Sequence, residues 1–246
     1  MDNLNYLGLL NDKNSFTRED LRNAMHISGS PISEASFKAK LQVLLRSKII
    51  ARVGRNAYCV PEDGVNMYHH EYSELAESVA RKITEEYPYL DFTVFEIVQL
   101  NEFVNHQFAH NIVFVSVEGD LCGFIFDALK RSYPGKVLVA PTTSIFHQYW
   151  YDDMVVIVKL ITEAPKHNTY PWSTRLEKLL VDIIADPLIM DSISESEFPN
   201  IYAEAFRKYV IDESCLFRYA KRRGAENDIL QLIRHRTDIQ LRTREL

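Results

Sequence analysis

Cysteine is scarce and unpaired by spacing. Cys59, Cys122 and Cys215 are odd in number and far apart in a chain of 246 residues. No CxxC and no Cys/His metal spacing occurs, which argues against a disulfide framework and against a zinc site. No run of apolar residues reaches the length of a membrane span, so no membrane association is expected. The opening MDNLNYLGLL has neither a basic n-region nor a long apolar core, and the expectation is a cytoplasmic protein. Also missing are a P-loop, GxGxxG, GxSxG and HExxH, the short motifs that mark nucleotide, hydrolase and metalloprotease chemistry. No catalytic residue, metal or cofactor is assigned on this basis. Internal repeats and low-complexity segments are absent as well.

Charge is present in ordinary amount but unevenly placed. Residues 1–60 carry nine Lys/Arg against five Asp/Glu, residues 61–200 nine against twenty-two, and residues 201–246 ten against seven. The chain is therefore basic at both ends and acidic in the middle, although its net charge is −6. Salt screens interactions beyond about 8–10 Å, so the local balance governs contact with phosphate. The neutral reading of an acidic middle is simple solubility.

The basic first segment has a pattern of its own. Thr17 with Asp20 three residues on reads as a helix cap, and the helix runs through Leu21, Ala24 and Met25. After the Gly29-Ser30-Pro31 break, Ser33 caps a second helix with Phe37, Leu41, Leu44 and Leu45 on its buried face. The opposite face carries Ala35, Lys38, Ala39, Gln42 and Arg46, small or hydrogen-bonding side chains suited to a major groove. A hairpin follows, Ile49 to Val53 and Ala57 to Val60 around a Gly54-Arg55-Asn56 turn. Residues 1–62 thus read as a winged helix-turn-helix that binds double-stranded DNA. Ser33, Ser36, Lys38 and Gln42 are expected at or near base edges, and Arg46, Lys48, Arg52 and Arg55 on phosphate. The break between the helices is longer than that of a tight helix-turn-helix, and a small helical unit with a hairpin serves equally as a protein-interaction module.

Pro61-Glu62-Asp63-Gly64 punctuates the chain, and Asn66 to Glu86 reads as one amphipathic helix within a linker spanning residues 63–90, with Tyr68, Tyr72, Leu75, Val79 and Ile83 on one face. From Asp91, strands alternate with helices. Strands are expected over Phe92–Val98, Ile112–Val117, Lys136–Ala140 and Met154–Ile161, the last being central. Helices are expected over Leu100–Phe108, Asp120–Ser132 and Thr143–Trp150. Near-continuous apolar strands between helices predict an α/β sheet covered by helices. Beyond Pro165 only helices are expected: Arg175–Ala185, capped by Ser173 or Thr174, then Pro199–Val210, Glu213–Arg223 and Ala225–Arg236. The fold class is mixed α/β, with residues 91–246 forming a sheet domain and a carboxy-terminal helical layer.

Three groups could carry chemistry. Glu102, His106 and His110 fall at i, i+4 and i+8, a metal or acid–base stripe if one helix holds them, or else a polar face. Asp152 and Asp153 precede an apolar strand and could bind Mg²⁺, as in a metal-dependent nuclease or nucleotidyltransferase, or else form a solvated loop. Arg218, Lys221, Arg222 and Arg223 form a basic patch for DNA or an acidic partner, or else a helix end favoured by its dipole.

Leu100-Asn101-Glu102-Phe103 with His106-Gln107, Glu163-Ala164-Pro165, Leu176 to Asp182 and Arg218 to Gly224, behind the amino-terminal pattern, resemble the AbiEi-like antitoxins of bacterial abortive-infection (type IV) toxin–antitoxin systems. The resemblance implies a phage-defence operon whose own promoter is bound by a transcriptional autorepressor, often as cooperating copies on repeated sites. It implies a nucleotidyltransferase-like toxin as cognate partner, antitoxic activity in residues 91–246, and a protein that is not itself an enzyme. A protein-interaction module that neutralises a toxin without binding DNA stays open beside it.

Overall fold

The structure is a computed structural model and describes residues 5–10, 13–29, 32–62, 65–149, 151–166 and 170–244. Ser30-Pro31, Asp63-Gly64 and Trp150 of the sequence reading lie outside the described residues. The protein is mixed α/β, and the described residues form two sheets.

The first unit holds α1 (Asn5–Gly8), α2 (Arg18–Ile27), α3 (Glu34–Arg46) and a hairpin of β1 (Ala51–Gly54) and β2 (Ala57–Cys59). Apolar residues at helical spacing build its separate core, in which Leu21, Met25, Phe37, Leu41 and Leu44 meet Phe16, Ile50 and Tyr58. Phe16 and Tyr58 exchange both backbone hydrogen bonds, at 2.8 and 2.9 Å, and so tie the segment before α2 to the hairpin.

The larger body follows as α4 (Glu74–Glu86), β3 (Phe92–Glu96), β4 (Ile112–Val117), α5 (Cys122–Leu129), β5 (Val137–Val139), α6 (Thr143–Gln148) and β6 (Met154–Lys159). Then come α7 (Leu176–Ala185), α8 (Pro187–Met190), α9 (Phe198–Lys208), α10 (Glu213–Arg223) and α11 (Glu226–Arg236). The sheet order is β3-β4-β6-β5, with β3 antiparallel to β4 and the other pairings parallel. Apolar β6 is interior, as its composition implied. Strand alternation sorts the side chains onto two faces. Val94, Val113, Val115, Val155 and Ile157 pack on α4 and α5, while Phe95, Ile112, Phe114, Met154 and Val156 pack on the carboxy-terminal helices.

Several boundaries differ from the sequence reading, each because a specific hydrogen bond intervenes. The stretch from Asn66 to Tyr72 is not helical. Asn66 N–H donates to Lys208 O and its carbonyl accepts from Val210 N–H, both at 3.0 Å, so this stretch runs beside the α9–α10 connection. Tyr68 and Tyr72 therefore precede α4, which starts where the Ser73 side chain accepts from Ala76 N–H. The strand from Phe92 stops at Glu96, and a 3₁₀ turn covers Ile97–Glu102. Asn101 then clamps Phe108 through both backbone groups, at 2.7 and 3.3 Å, which replaces the helix expected there. Neither Ser173 nor Thr174 caps α7. Ser173 Oγ donates to Tyr170 O and Thr174 Oγ1 to Val94 O, so both fasten the incoming loop to neighbouring backbone.

Candidate nucleic-acid interface

Two caps set the positions of α2 and α3. Asp20 N–H donates to Thr17 Oγ1 at 3.1 Å, and Thr17 N–H donates back to Asp20 Oδ2 at 2.8 Å. A hydrogen bond from Lys13, with those from Thr17, holds the Asp20 carboxyl down at about 2. Ser33 Oγ accepts from Ser36 N–H at 3.2 Å and lies 2.9 Å from Ser36 Oγ. Ser33 and Ser36 are thus exposed but engaged with each other at the start of α3. Arg18 and Arg22 both reach Glu34, at 2.5 and 3.0 Å, which neutralises that corner of the unit.

The outward face of α3 is different. Lys38, Gln42 and Arg46, four residues apart along the helix, are all exposed, and neither cation has an acidic partner among the described residues. Val43 lies beside them, 60% exposed. Lys48 follows at a positive φ of 58° in the turn that swings the chain into β1. Arg52 is exposed between buried Ala51 and Val53, its guanidinium 5.9 Å from the centre of the Tyr58 ring.

Unlike those residues, the hairpin turn is docked on the body. Arg55 N–H donates to Ser214 Oγ at 2.8 Å, although the Arg55 side chain stays exposed. A Cβ on Gly54 would lie 2.8 Å from Thr243 Cγ2 and 2.9 Å from Ser214 Oγ, so any larger residue would force these side chains to shift. The carboxy-terminal segment crosses here like a strap. Buried Glu213 accepts from Arg242 N–H at 2.7 Å, Thr243 N–H at 2.8 Å and Thr243 Oγ1 at 2.5 Å. Arg242 in turn donates to Asn14 O at 3.2 Å, and Ser15 Oγ donates to Arg242 O at 3.1 Å.

The carboxy-terminal basic patch is smaller than its sequence suggested. Arg218, Lys221 and Arg222 are exposed, with Arg218 Nε 3.9 Å from Glu163 and Arg222 Nε donating to Thr162 Oγ1 at 2.7 Å. Arg223 does not belong to the patch. It turns inward to Asp182 and Asp186, each at 3.3 Å. Burial opposes its charge, but the two carboxylates more than offset this and raise its pKa. Asp182 also takes Lys178 Nζ at 2.5 Å and Tyr219 Oη at 3.0 Å, which makes a buried network between α7 and α10. Its sequence signal was Lys178 and Asp182 at i, i+4 in a helix whose other residues are apolar except Glu177.

Among the described residues, those considered for metal or acid–base chemistry form no cluster of three or more. Glu102 accepts from Tyr209 Oη, His106 lies 3.2 Å from Glu197, and His110 lies 3.6 Å from Asp152, because no helix carries them on one face. Asp152 instead accepts from the backbone N–H of Asn111 and Asp153, closing the loop before β6. A second polar cluster had no sequence signal at all. Fully buried Glu96 takes His70 Nε2 at 2.7 Å, Ser73 N–H at 2.9 Å, Ser73 Oγ at 2.5 Å and Asn111 Nδ2 at 2.8 Å. Burial pushes the Glu96 carboxyl up, but these donors outweigh it and hold the pKa below the ordinary carboxylate value.

The arrangement defines a class: a mixed α/β protein with an appended basic helix-and-hairpin unit. A family model described as a family of unknown function (DUF6577) matches residues 36–239. The chain belongs to that family. No curated protein matches it.

Proposed function

We propose that this protein is a DNA-binding transcriptional autorepressor with antitoxin function, whose amino-terminal unit works as a winged helix. The observation that carries the reading is the outward face of α3, where exposed Lys38 and Arg46 flank Gln42 and have no acidic partner among the described residues. Paired cations would need their salt bridges broken before they met phosphate, whereas these are free to bind. In this reading Ser33, Ser36, Lys38 and Gln42 face base edges, and Arg46, Lys48 and Arg52 hold the backbone. Arg55 contributes through its side chain alone, since its backbone is fastened to Ser214.

The antitoxin half of the reading rests on the AbiEi-like resemblance. It implies a toxin–antitoxin operon, a nucleotidyltransferase-like toxin as partner, cooperating copies on repeated DNA sites, and no enzymatic activity of the chain's own. The docked hairpin turn favours a second reading, in which the unit is a protein-interaction module and toxin neutralisation needs no DNA.

A titration of the full chain against the DNA upstream of its own gene and against a scrambled duplex, at two salt concentrations, separates these. The first reading expects tighter binding to the upstream DNA. Arg46→Ala should then weaken both duplexes alike and lower the salt slope by about 1, while Gln42→Ala should alter sequence preference. Equal or absent binding overturns the DNA reading and favours the interaction module.

A further inference from the structure

A cleft of about 670 Å³ separates the amino-terminal unit from the α/β body. Arg46, Lys48 and Arg52 line it from the carboxyl end of α3 and from β1, and Lys166, Arg175 and Glu177 line it from the body. Sites for small molecules span roughly 300–1,000 Å³, so the space suits a ligand of nucleotide size.

Charge in the cleft is sharply divided. Arg175 is held by Glu177 through two hydrogen bonds, at 2.9 and 2.7 Å, and Lys166 by Asp91. Glu177 also accepts from Asp212 N–H at 2.9 Å, and Asp212 caps α10 through Cys215 N–H at 2.9 Å. The acidic groups of the cleft are thereby satisfied within the body. The three cations of the opposite wall have no acidic partner among the described residues. Leu45, Met67 and Val210 supply apolar surface beside them.

We propose that this cleft binds a nucleotide carrying two or three phosphates, with its phosphates on Arg46, Lys48 and Arg52 and its ring against the apolar wall. Arginine forks suit phosphate oxygens because they donate two parallel bonds, and a small anion alone would leave the apolar wall unused. The ligand touches both halves of the molecule, so it also fixes how the amino-terminal unit sits on the body. One consequence rests on the DNA reading above: Arg46, Lys48 and Arg52 cannot serve phosphates in the cleft and a duplex backbone together, so nucleotide and operator compete. The site itself does not depend on that reading.

The test is calorimetric titration of the full chain with ATP, GTP, CTP and UTP, with inorganic phosphate and adenosine as controls and no DNA present. At least one triphosphate is expected to bind at least tenfold more tightly than phosphate or adenosine. Lys48→Asn, which suits the positive φ at that position, and Arg52→Gln should each weaken it by roughly tenfold, equivalent to about 1.4 kcal/mol. Arg55→Gln, outside the cleft, should leave it unchanged. Thermal unfolding of each variant shows that it is folded, and the two substitutions lie on separate elements, so either one carries the test. Binding of no triphosphate, equal binding of phosphate alone, or full affinity in both cleft variants overturns the proposal. Separate titrations of nucleotide-free and nucleotide-loaded protein with the upstream duplex read the competition. Nucleotide binding with no duplex binding to the nucleotide-free protein keeps the cleft and removes the DNA reading, and duplex binding without nucleotide binding does the reverse.

Discussion

Glu96 is fully buried yet its pKa is lowered, and four donors explain why. A carboxylate with its lone pairs filled keeps its charge out of water, whereas removing that charge leaves His70, Ser73 and Asn111 without their acceptor. Because the folded-state pKa is depressed, this stabilisation is present above the unfolded-state value of about 4.3 and is lost as pH falls through the folded-state value. Glu96→Gln should therefore cost roughly 2 kcal/mol at neutral pH, and its gap to the wild type should close on acidification. Urea midpoints of both proteins from pH 7 to pH 3 check this, and a gap that stays constant would refute it. The partners were not readable from the sequence, where Glu96 is a lone acidic residue inside the apolar run from Phe92 to Val98. Its donors come from residues 70, 73 and 111, too distant in sequence for any local pattern. The caps on Thr17 and Ser33 were readable because donor and acceptor lie three residues apart.

At the scale of elements, α7 shows how an apolar helix accommodates charge. Its Lys178 and Asp182 lie on adjacent turns, and α10 brings Tyr219 and Arg223 onto the same carboxylate. Breaking one member of such a buried set leaves the others uncompensated, which is costlier than the pair's net contribution. Lys178→Met is expected to destabilise the protein by about 3 kcal/mol in chemical denaturation, with the slope unchanged. A loss under about 1 kcal/mol would mean that Arg223 and Tyr219 suffice to hold Asp182. Element type was largely legible here: α7, α9, α10 and α11 and all four strands of the larger sheet follow the apolar periodicity. Boundaries failed where a distant contact outcompeted local propensity, as when Asn66 paired with the α9–α10 connection and delayed the start of α4.

For the whole molecule, the strap from residues 242–244 matters most. It joins the hairpin turn to α10 through Glu213, Ser214 and Thr243, and so fastens the amino-terminal unit to the body. Glu213→Gln weakens that clamp without touching the sheet. Amide exchange within residues 51–59 should speed up at least tenfold, while β4 and β6 keep their protection. Uniform acceleration across the chain would instead make Glu213 part of the global fold, and unchanged exchange would show that the turn is held without the strap.

Taken alone, the sequence determined the mixed α/β class, the caps, the course of most helices and strands, and the basic–acidic–basic division of charge. These depend on patterns within a few residues, where backbone geometry and side-chain spacing act directly. Only the tertiary structure decided which charges are free. It turned Arg223 inward to Asp182, spent Arg175 on Glu177, and left Arg46, Lys48 and Arg52 along one cleft without an acidic partner among the described residues. The reason is physical: pairing and burial are set by groups that meet across the folded chain, and their long sequence separations leave no local signature.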